Sequence, residues 1–244
     1  MPASPLKSVL ILGANSDVAK QALLLYVQQG YQVVAASRST DKLEAFVKEN
    51  GLGSEHVDVR YFDAVAYATH AAFYAALPQK PHIVLYAAGF LVDNLEALLN
   101  WEGTFQMMQV HYCGAVSILN LIISDRENTE LERIIGLSSL SGVRGRKSNF
   151  VYGSSKAAFT TYLAGLRQHL AERKVAVNVV VAGYIRSKMT AGLDLTESLM
   201  LEPDFIARAV VGAKRRLIIV PGWKWKIIYQ ILRLLPEFLV AKLP

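Results

Sequence analysis

Residues 8–22 read SVLILGANSDVAKQA, and this stretch decides the fold. The short β-branched run SVLIL (8–12) goes straight into Gly13, and a helical pattern follows over 17–29 and stops at Gly30. Strand, tight turn and helix in this order open a parallel sheet. They also make a dinucleotide site, because backbone N–H groups of the turn and the helix N-terminus meet a pyrophosphate. The usual turn carries three glycines; here Gly13 stands alone, with Asp17 and Ala19 at the other two positions. The methyl of Ala19 still lets the helix pack on the strand. Asp17 brings a carboxylate towards phosphates, which is tolerable if it turns away to cap the helix. The candidate cofactor contacts in the turn are Gly13, Asn15, Ser16, Asp17 and Val18.

The same alternation repeats outward from this unit. Strands are expected at 32–36, 57–62, 82–86, 133–138, 175–181 and 216–220, with helices over 40–49, 65–76, 101–124, 152–173 and from 203. An irregular polar stretch fills 183–202. No repeat, linker or composition shift divides the chain. The reading is one α/β domain over 1–244, a Rossmann-type doubly wound parallel sheet of about seven strands with helices on both faces. Its cofactor and catalytic core spans 8–190, a substrate lid 184–215 and an amphipathic tail 222–244.

Composition agrees. The 244 residues are 52% hydrophobic and 19% charged, enough for a large core and unlike a disordered chain. The net charge of +6 suits an anionic cofactor, substrate or lipid surface. No Lys/Arg run interleaved with aromatics is present, so nucleic acid is not an expected partner. One cysteine, Cys113, excludes an intramolecular disulfide and a zinc cluster, and no metal is expected. Lying in VHYCGAVSIL, it reads as a small buried thiol. The apolar run at 9–12 is too short for a signal peptide, so a cytoplasmic location is expected.

The chemistry concentrates at 138–156, SSLSGVRGRKSNFVYGSSK. Tyr152 and Lys156 are four apart and share one helix face. Ser139 ends a strand thirteen residues before Tyr152, at the sheet edge that opens onto a cofactor crevice. Reducing a carbonyl by hydride needs a proton donor. A phenol with a free pKa of about 10 is sluggish in that role until a nearby ammonium stabilises the phenolate, and a serine hydroxyl can hold the carbonyl oxygen. After the second strand stands Arg38, between Ser37 and Ser39. A guanidinium there suits a 2′-phosphate, so NADP(H) is expected over NAD(H). Asp63, after the third strand, is placed to accept from an adenine amino group or to cap the next helix.

With these motifs the chain resembles the short-chain dehydrogenase/reductase family over roughly 8–190. The resemblance implies an oxidoreductase whose catalytic serine, tyrosine and lysine are Ser139, Tyr152 and Lys156. It places YAAG (86–89) at the family's NNAG, which implies cofactor contacts at Ala87, Ala88 and Gly89. The family's Pro-Gly turn becomes Ala182-Gly183, so Gly183, Ile185 (nicotinamide amide) and Ser187 (phosphate) are implied too. Where the family often has an asparagine supporting a proton-relay water, QVHYCG puts His111, an imidazole able to hold a water or pass a proton. The full chain is also similar to the reductase component of decaprenylphosphoryl-ribose 2′-epimerase enzymes, which implies a lipid-linked keto-sugar substrate.

The ends bear on substrate and partners. The 184–202 stretch holds Met189, Leu193, Leu195, Leu199, Met200 and Leu201, as a lid over an apolar substrate would. The tail, GWKWKIIYQILRLLPEFLVAKLP, sets Lys226, Gln230, Arg233 and Glu237 in one polar stripe on an apolar helix. That pattern fits a helix lying in a membrane interface, which would put the protein at the inner face of the membrane, or a face packed on the body or a second subunit. A homodimer or homotetramer is expected. Two other readings are a soluble reductase of a steroid or 3-oxoacyl ketone and a nucleotide-sensing binding protein with a disabled site.

Overall fold

The computed structural model describes residues 6–242; the ends of the expected domain and tail, residues 1–5 and 243–244, lie outside the described residues. Seven parallel strands form one sheet: β1 (Ser8–Leu12), β2 (Gln32–Ser37), β3 (Val57–Tyr61), β4 (Ile83–Tyr86), β5 (Arg133–Ser139), β6 (Ala176–Ala182) and β7 (Ile218–Ile219). Their order is β3-β2-β1-β4-β5-β6-β7. The strand order reverses between β1 and β4, which opens a crevice at their carboxyl ends. Strand residues alternate between two helical layers. Leu10, Leu12, Val84 and Tyr86 face α6 (Gly114–Ser124) and α7 (Phe150–His169), while Val9, Ile11, Ile83 and Leu85 face α1 (Asp17–Gln28) and α8 (Pro203–Val211). A strand covered on both faces has no polar side to show, which is why these runs read as continuously apolar.

Several boundaries move for local reasons. The helix expected at 65–76 opens as a 3-10 turn, Tyr67–Thr69, and is α-helical only over α3 (His70–Ala75). α2 spans Thr40–Glu49 as expected, and α7 starts two residues earlier than read and stops at His169. β7 shrinks to two residues, and its approach is held by the Asn178 amide, which donates to Lys214 O and Arg216 O.

The segment 92–124 departs most from the sequence reading. A short helix, α4 (Asn94–Leu99), is capped by Asp93, and the long helix that follows is not uniform. It runs as α5 (Trp101–Met108), a π turn (Gln109–Cys113) and α6, with Gly114 N–H reaching back five residues to Gln109 O. Trp101–Ser124 is long and apolar enough to cross a bilayer. Its Ala115, Ile118, Leu119 and Ile122, however, pack in the protein's own core. The π turn buries Val110 and His111 and rotates Tyr112 and Cys113 outward. Cys113 is therefore exposed, against the expectation of a buried thiol.

The tail forms α9 (Trp223–Leu234) and, after a break at Leu235–Pro236, α10 (Glu237–Val240). Lys226, Gln230 and Arg233 do lie exposed along α9. Glu237 falls on the second helix instead, 3.2 Å from Arg144. The inner face packs on the body. Trp225, 3% exposed, donates its indole N–H to Leu199 O at 2.8 Å and meets Tyr184 edge-on at 5.0 Å. A methyl on Gly183 would lie 2.1 Å from the Trp225 ring, so that glycine is the seat of the indole. Trp225→Ala should cost about 3–5 kcal/mol, read as a lower denaturation midpoint in urea; an unchanged midpoint would mean the tail is not docked.

Candidate active site

The crevice is built from backbone first. Gly13 has φ +85°, and a methyl there would sit 2.4 Å from Ala88 N, so the turn after β1 presses directly on the segment after β4. Ala87 N–H reinforces this by donating to Leu12 O at 2.8 Å. Ser16 is the N-cap of α1 but makes no side-chain cap bond, and Val18 behind it is buried. The first N–H groups of this twelve-residue helix thus have no side-chain cap, as a phosphate site requires.

Asp17 does not cap the helix. Its carboxylate accepts from Lys188 N–H at 2.8 Å and lies 3.4 Å from Lys188 Nζ, tying α1 to the segment after β6. The expectation that it would cap α1 is corrected: a partner 171 residues away takes its carboxylate.

Asn15 ties the turn to the end of β2. Its amide donates to Ser37 Oγ (2.8 Å) and Ser39 O (2.7 Å), while its Oδ1 is buried without a partner. Between those serines Arg38 is exposed and, among the described residues, has no acidic partner. Asp63 accepts from Val65 N–H in a local turn and caps neither the 3-10 turn nor α3, and its backbone carbonyl meets His70 Nε2 at 2.9 Å. An open helix start, an orphaned buried acceptor and an unpaired guanidinium beside hydroxyls fit a phosphorylated dinucleotide.

On the other side of the crevice, Ser139 ends β5 and accepts from Ser141 N–H, whose own hydroxyl accepts from Asn149. The Ser139 hydroxyl lies near enough to the Tyr152 phenol to favour its ionised form. Lys156 is buried, donates to Leu137 O at 3.3 Å, and holds its ammonium 5.8 Å from the Tyr152 ring centre. Burial pushes Tyr152 up to about 12, opposed by the Ser139 hydroxyl, and pulls Lys156 down to about 8. The phenol is thus raised where the sequence led one to expect it depressed, because burial dominates. The phenol therefore keeps its proton near neutrality.

His111 sits beside this pair, its ring edge-on to Tyr152 at 5.3 Å, with both nitrogens occupied. Nε2 accepts from Phe90 N–H at 3.2 Å. Nδ1 then carries the proton and donates to Ser155 Oγ at 2.8 Å, which donates to Tyr152 O. Burial and the Lys156 charge hold the imidazole well below its usual range, so it is neutral. A methyl on Gly89 would meet His111 Nε2 at 2.9 Å and Lys156 Nζ at 3.3 Å, which accounts for glycine there. Tyr86, at the family's first asparagine, turns into the core and donates to Val110 O in the π turn. This geometry makes His111 a strut between the β4 loop and the catalytic helix, without a free nitrogen for a relay.

Gly183 seats Trp225, Ile185 bridges to Leu201, and Ser187 is folded against Thr190, its N–H 3.2 Å from Thr190 Oγ1. Arg186 pins this segment through Glu197 (2.7 Å) and Glu202 (2.8 Å). A cavity of about 520 Å³ lies beneath it, walled by Leu193, Leu195, Met200, Arg186 and Asp17. Sequence reading missed Ser155, Lys188 and Trp225. In YGSSK nothing separates Ser155, on the histidine, from Ser154, which is exposed and bonds its own helix.

Comparison with known proteins agrees with this geometry. The family model described as short chain dehydrogenase matches residues 7–198. An uncharacterized oxidoreductase of Mycobacterium tuberculosis is 28% identical, with 97% of this chain and 96% of that protein covered. A Bos taurus 3-oxoacyl-[acyl-carrier-protein] reductase is 23% identical over 80% of this chain and 81% of its own length. Two solved structures share the fold: a Burkholderia cenocepacia short chain dehydrogenase in complex with NADP (TM-score 0.81, 19% identity, 96% and 95% covered) and a Sphingobium yanoikuyae one in complex with NADPH (TM-score 0.80, 19%, 98% and 97%).

The pH profile checks the electrostatics. For carbonyl reduction, kcat/KM should hold level through neutrality and fall as pH rises through about 8, where Lys156 loses its charge. His111→Asn should leave that profile in place; a rising limb near the ordinary imidazole pKa that disappears in the variant would restore the relay.

Proposed function

The chain belongs to the short chain dehydrogenase family and is an NAD(P)-dependent oxidoreductase; on that premise we propose that it reduces a ketone, or oxidises the corresponding secondary alcohol, with NADP(H) as the preferred cofactor and Tyr152 as the proton donor. The observation that carries the reading is the Ser139–Tyr152–Lys156 cluster, with a phenol held protonated beside a buried ammonium. Gly13, Asn15, Ser16, Val18 and the α1 N-terminus would hold the pyrophosphate. Arg38 with Ser37 and Ser39 would hold the 2′-phosphate, Asp63 the adenine, and the Ala87–Gly89 backbone with Gly183, Ile185 and Ser187 the nicotinamide half. Reduced nicotinamide, when bound, supplies a hydride to the carbonyl carbon. The Ser139 hydroxyl orients the carbonyl oxygen, and Tyr152 gives it the proton as negative charge develops there. Lys156 then stabilises the phenolate until solvent restores its proton. His111 positions the catalytic helix.

The substrate we assign is lipid-like or a lipid-linked keto-sugar. The support is the apolar 184–202 segment, in which Met189 and Leu193 are exposed, and the apolar tail beside it. A soluble 3-oxoacyl reductase is the second reading, favoured by the similarity to the bovine reductase. A homo-oligomer belongs to the same proposal.

Titration by fluorescence should show tighter binding of NADPH than NADH. Arg38→Asp should weaken NADPH by roughly tenfold or more, the worth of charge-assisted hydrogen bonds, and spare NADH; equal affinities in the native protein would refute the preference. Tyr152→Phe should lower kcat by about 10²–10⁴ with cofactor affinity unchanged, and an active variant would remove the tyrosine from the mechanism.

A further inference from the structure

Most large apolar side chains exposed among the described residues lie on segments leaving the carboxyl ends of β4, β5 and β6, or on the tail. That is the side of the sheet on which the catalytic cluster opens. On the tail they form a second face of α9. Trp223 (68% exposed), Ile227, Ile231 and Leu234 (72%) stand outward, and Phe238 (68%) continues them on α10, opposite the buried Trp225 and Leu232. At 100° per residue, Lys226 and Arg233 flank this outer stripe on one side and Lys224 on the other. Leu95, Leu98, Leu99 (91%), Trp101 and Phe105 expose a second apolar patch on α4 and α5.

The loop 142–149 joins the two. Arg144 donates to Leu235 O at the tail's break, and Asn94, at the start of α4, donates to Lys147 O. Its sequence, GVRGRKSN, adds Arg144, Arg146 and Lys147, and from 133 to 171 the chain has no acidic residue. Acids on this side are Glu237, paired with Arg144, Glu197 and Glu202, paired with Arg186, Asp194, and Asp93, Glu96 and Glu102 around α4 and α5.

We infer that this face docks the protein flat on an anionic bilayer surface, with α9 and α10 on one side of the active-site mouth, the α4–α5 leucines on the other, and the basic loop between them. Two apolar patches separated by cations match hydrocarbon beneath anionic headgroups. A second copy is the poorer occupant: a twofold axis would set the lysine and arginine rows against themselves. The tail docks in place, since its inner face is buried in the body. Docking would present the catalytic cluster to a ketone held in the membrane. That consequence rests on the reductase reading, whereas docking itself does not.

The test uses the full chain with sedimented vesicles of mixed phosphatidylcholine and phosphatidylglycerol, and of phosphatidylcholine alone. Binding is expected to the anionic vesicles, reduced but not abolished by salt. Exchanging Ile227, Ile231, Leu234 and Phe238 together for serine should weaken it about tenfold or more, as should Leu98→Ser with Leu99→Ser to a smaller degree. NADPH titration should be unchanged in both variants, which shows that they fold and separates docking from catalysis. Absence of native binding, or equal binding by the fourfold variant, overturns the proposal. So does a native dimer that this variant dissociates without any vesicle binding, which would assign the face to a second copy.

Discussion

The contact between Gly13 and Ala88 is the constraint from which the rest of the site follows. Two backbone segments, one after β1 and one after β4, approach so closely that no side chain fits between them. That approach closes the bottom of the crevice where the strand order reverses. It fixes Gly89 and Phe90, which in turn bear on His111, and through Ser155 the register of α7. Tyr152 and Lys156 thus inherit their positions from a turn nearly 140 residues away in sequence.

Electrostatically the site is made by exclusion of water. No acid is near Lys156 to hold its proton, so burial alone brings it within reach of neutral pH. The same burial keeps the phenol protonated. A protonated phenol thus stands beside a buried amine whose charge is held only weakly. His111 contributes by being neutral and fully bonded. A charged imidazole at that distance would repel the ammonium, and an unbonded one would leave two buried polar groups unpaired.

The tail shows how one amphipathic sequence carries two apolar faces. Trp225, Leu232 and Val240 close the core around Gly183 and the 184–202 segment, while Trp223, Ile227, Ile231 and Leu234 are left outside. The periodicity required an apolar face against something. That α9 carries two such faces, separated by charged flanks, follows only from seeing which one the body covers.

Much was legible in order along the chain. Alternation of apolar runs with helical stretches, glycine after the first strand, and the spacing of Ser139, Tyr152 and Lys156 are short-range patterns, and they determined the doubly wound fold and the gathering of those three side chains at the end of β5 and the start of α7. Arg38 was legible for the same reason, standing at the end of a recognisable strand. The exposure of Cys113, the engagement of His111, the turning of Asp17 to Lys188 and the choice of Ser155 over Ser154 were decided by tertiary structure. Each depends on a partner 44 to 171 residues away or on a π turn that shifts the helical phase by part of a turn. Local periodicity says which face a residue shares with its neighbours, and it carries no information about what the fold sets opposite that face.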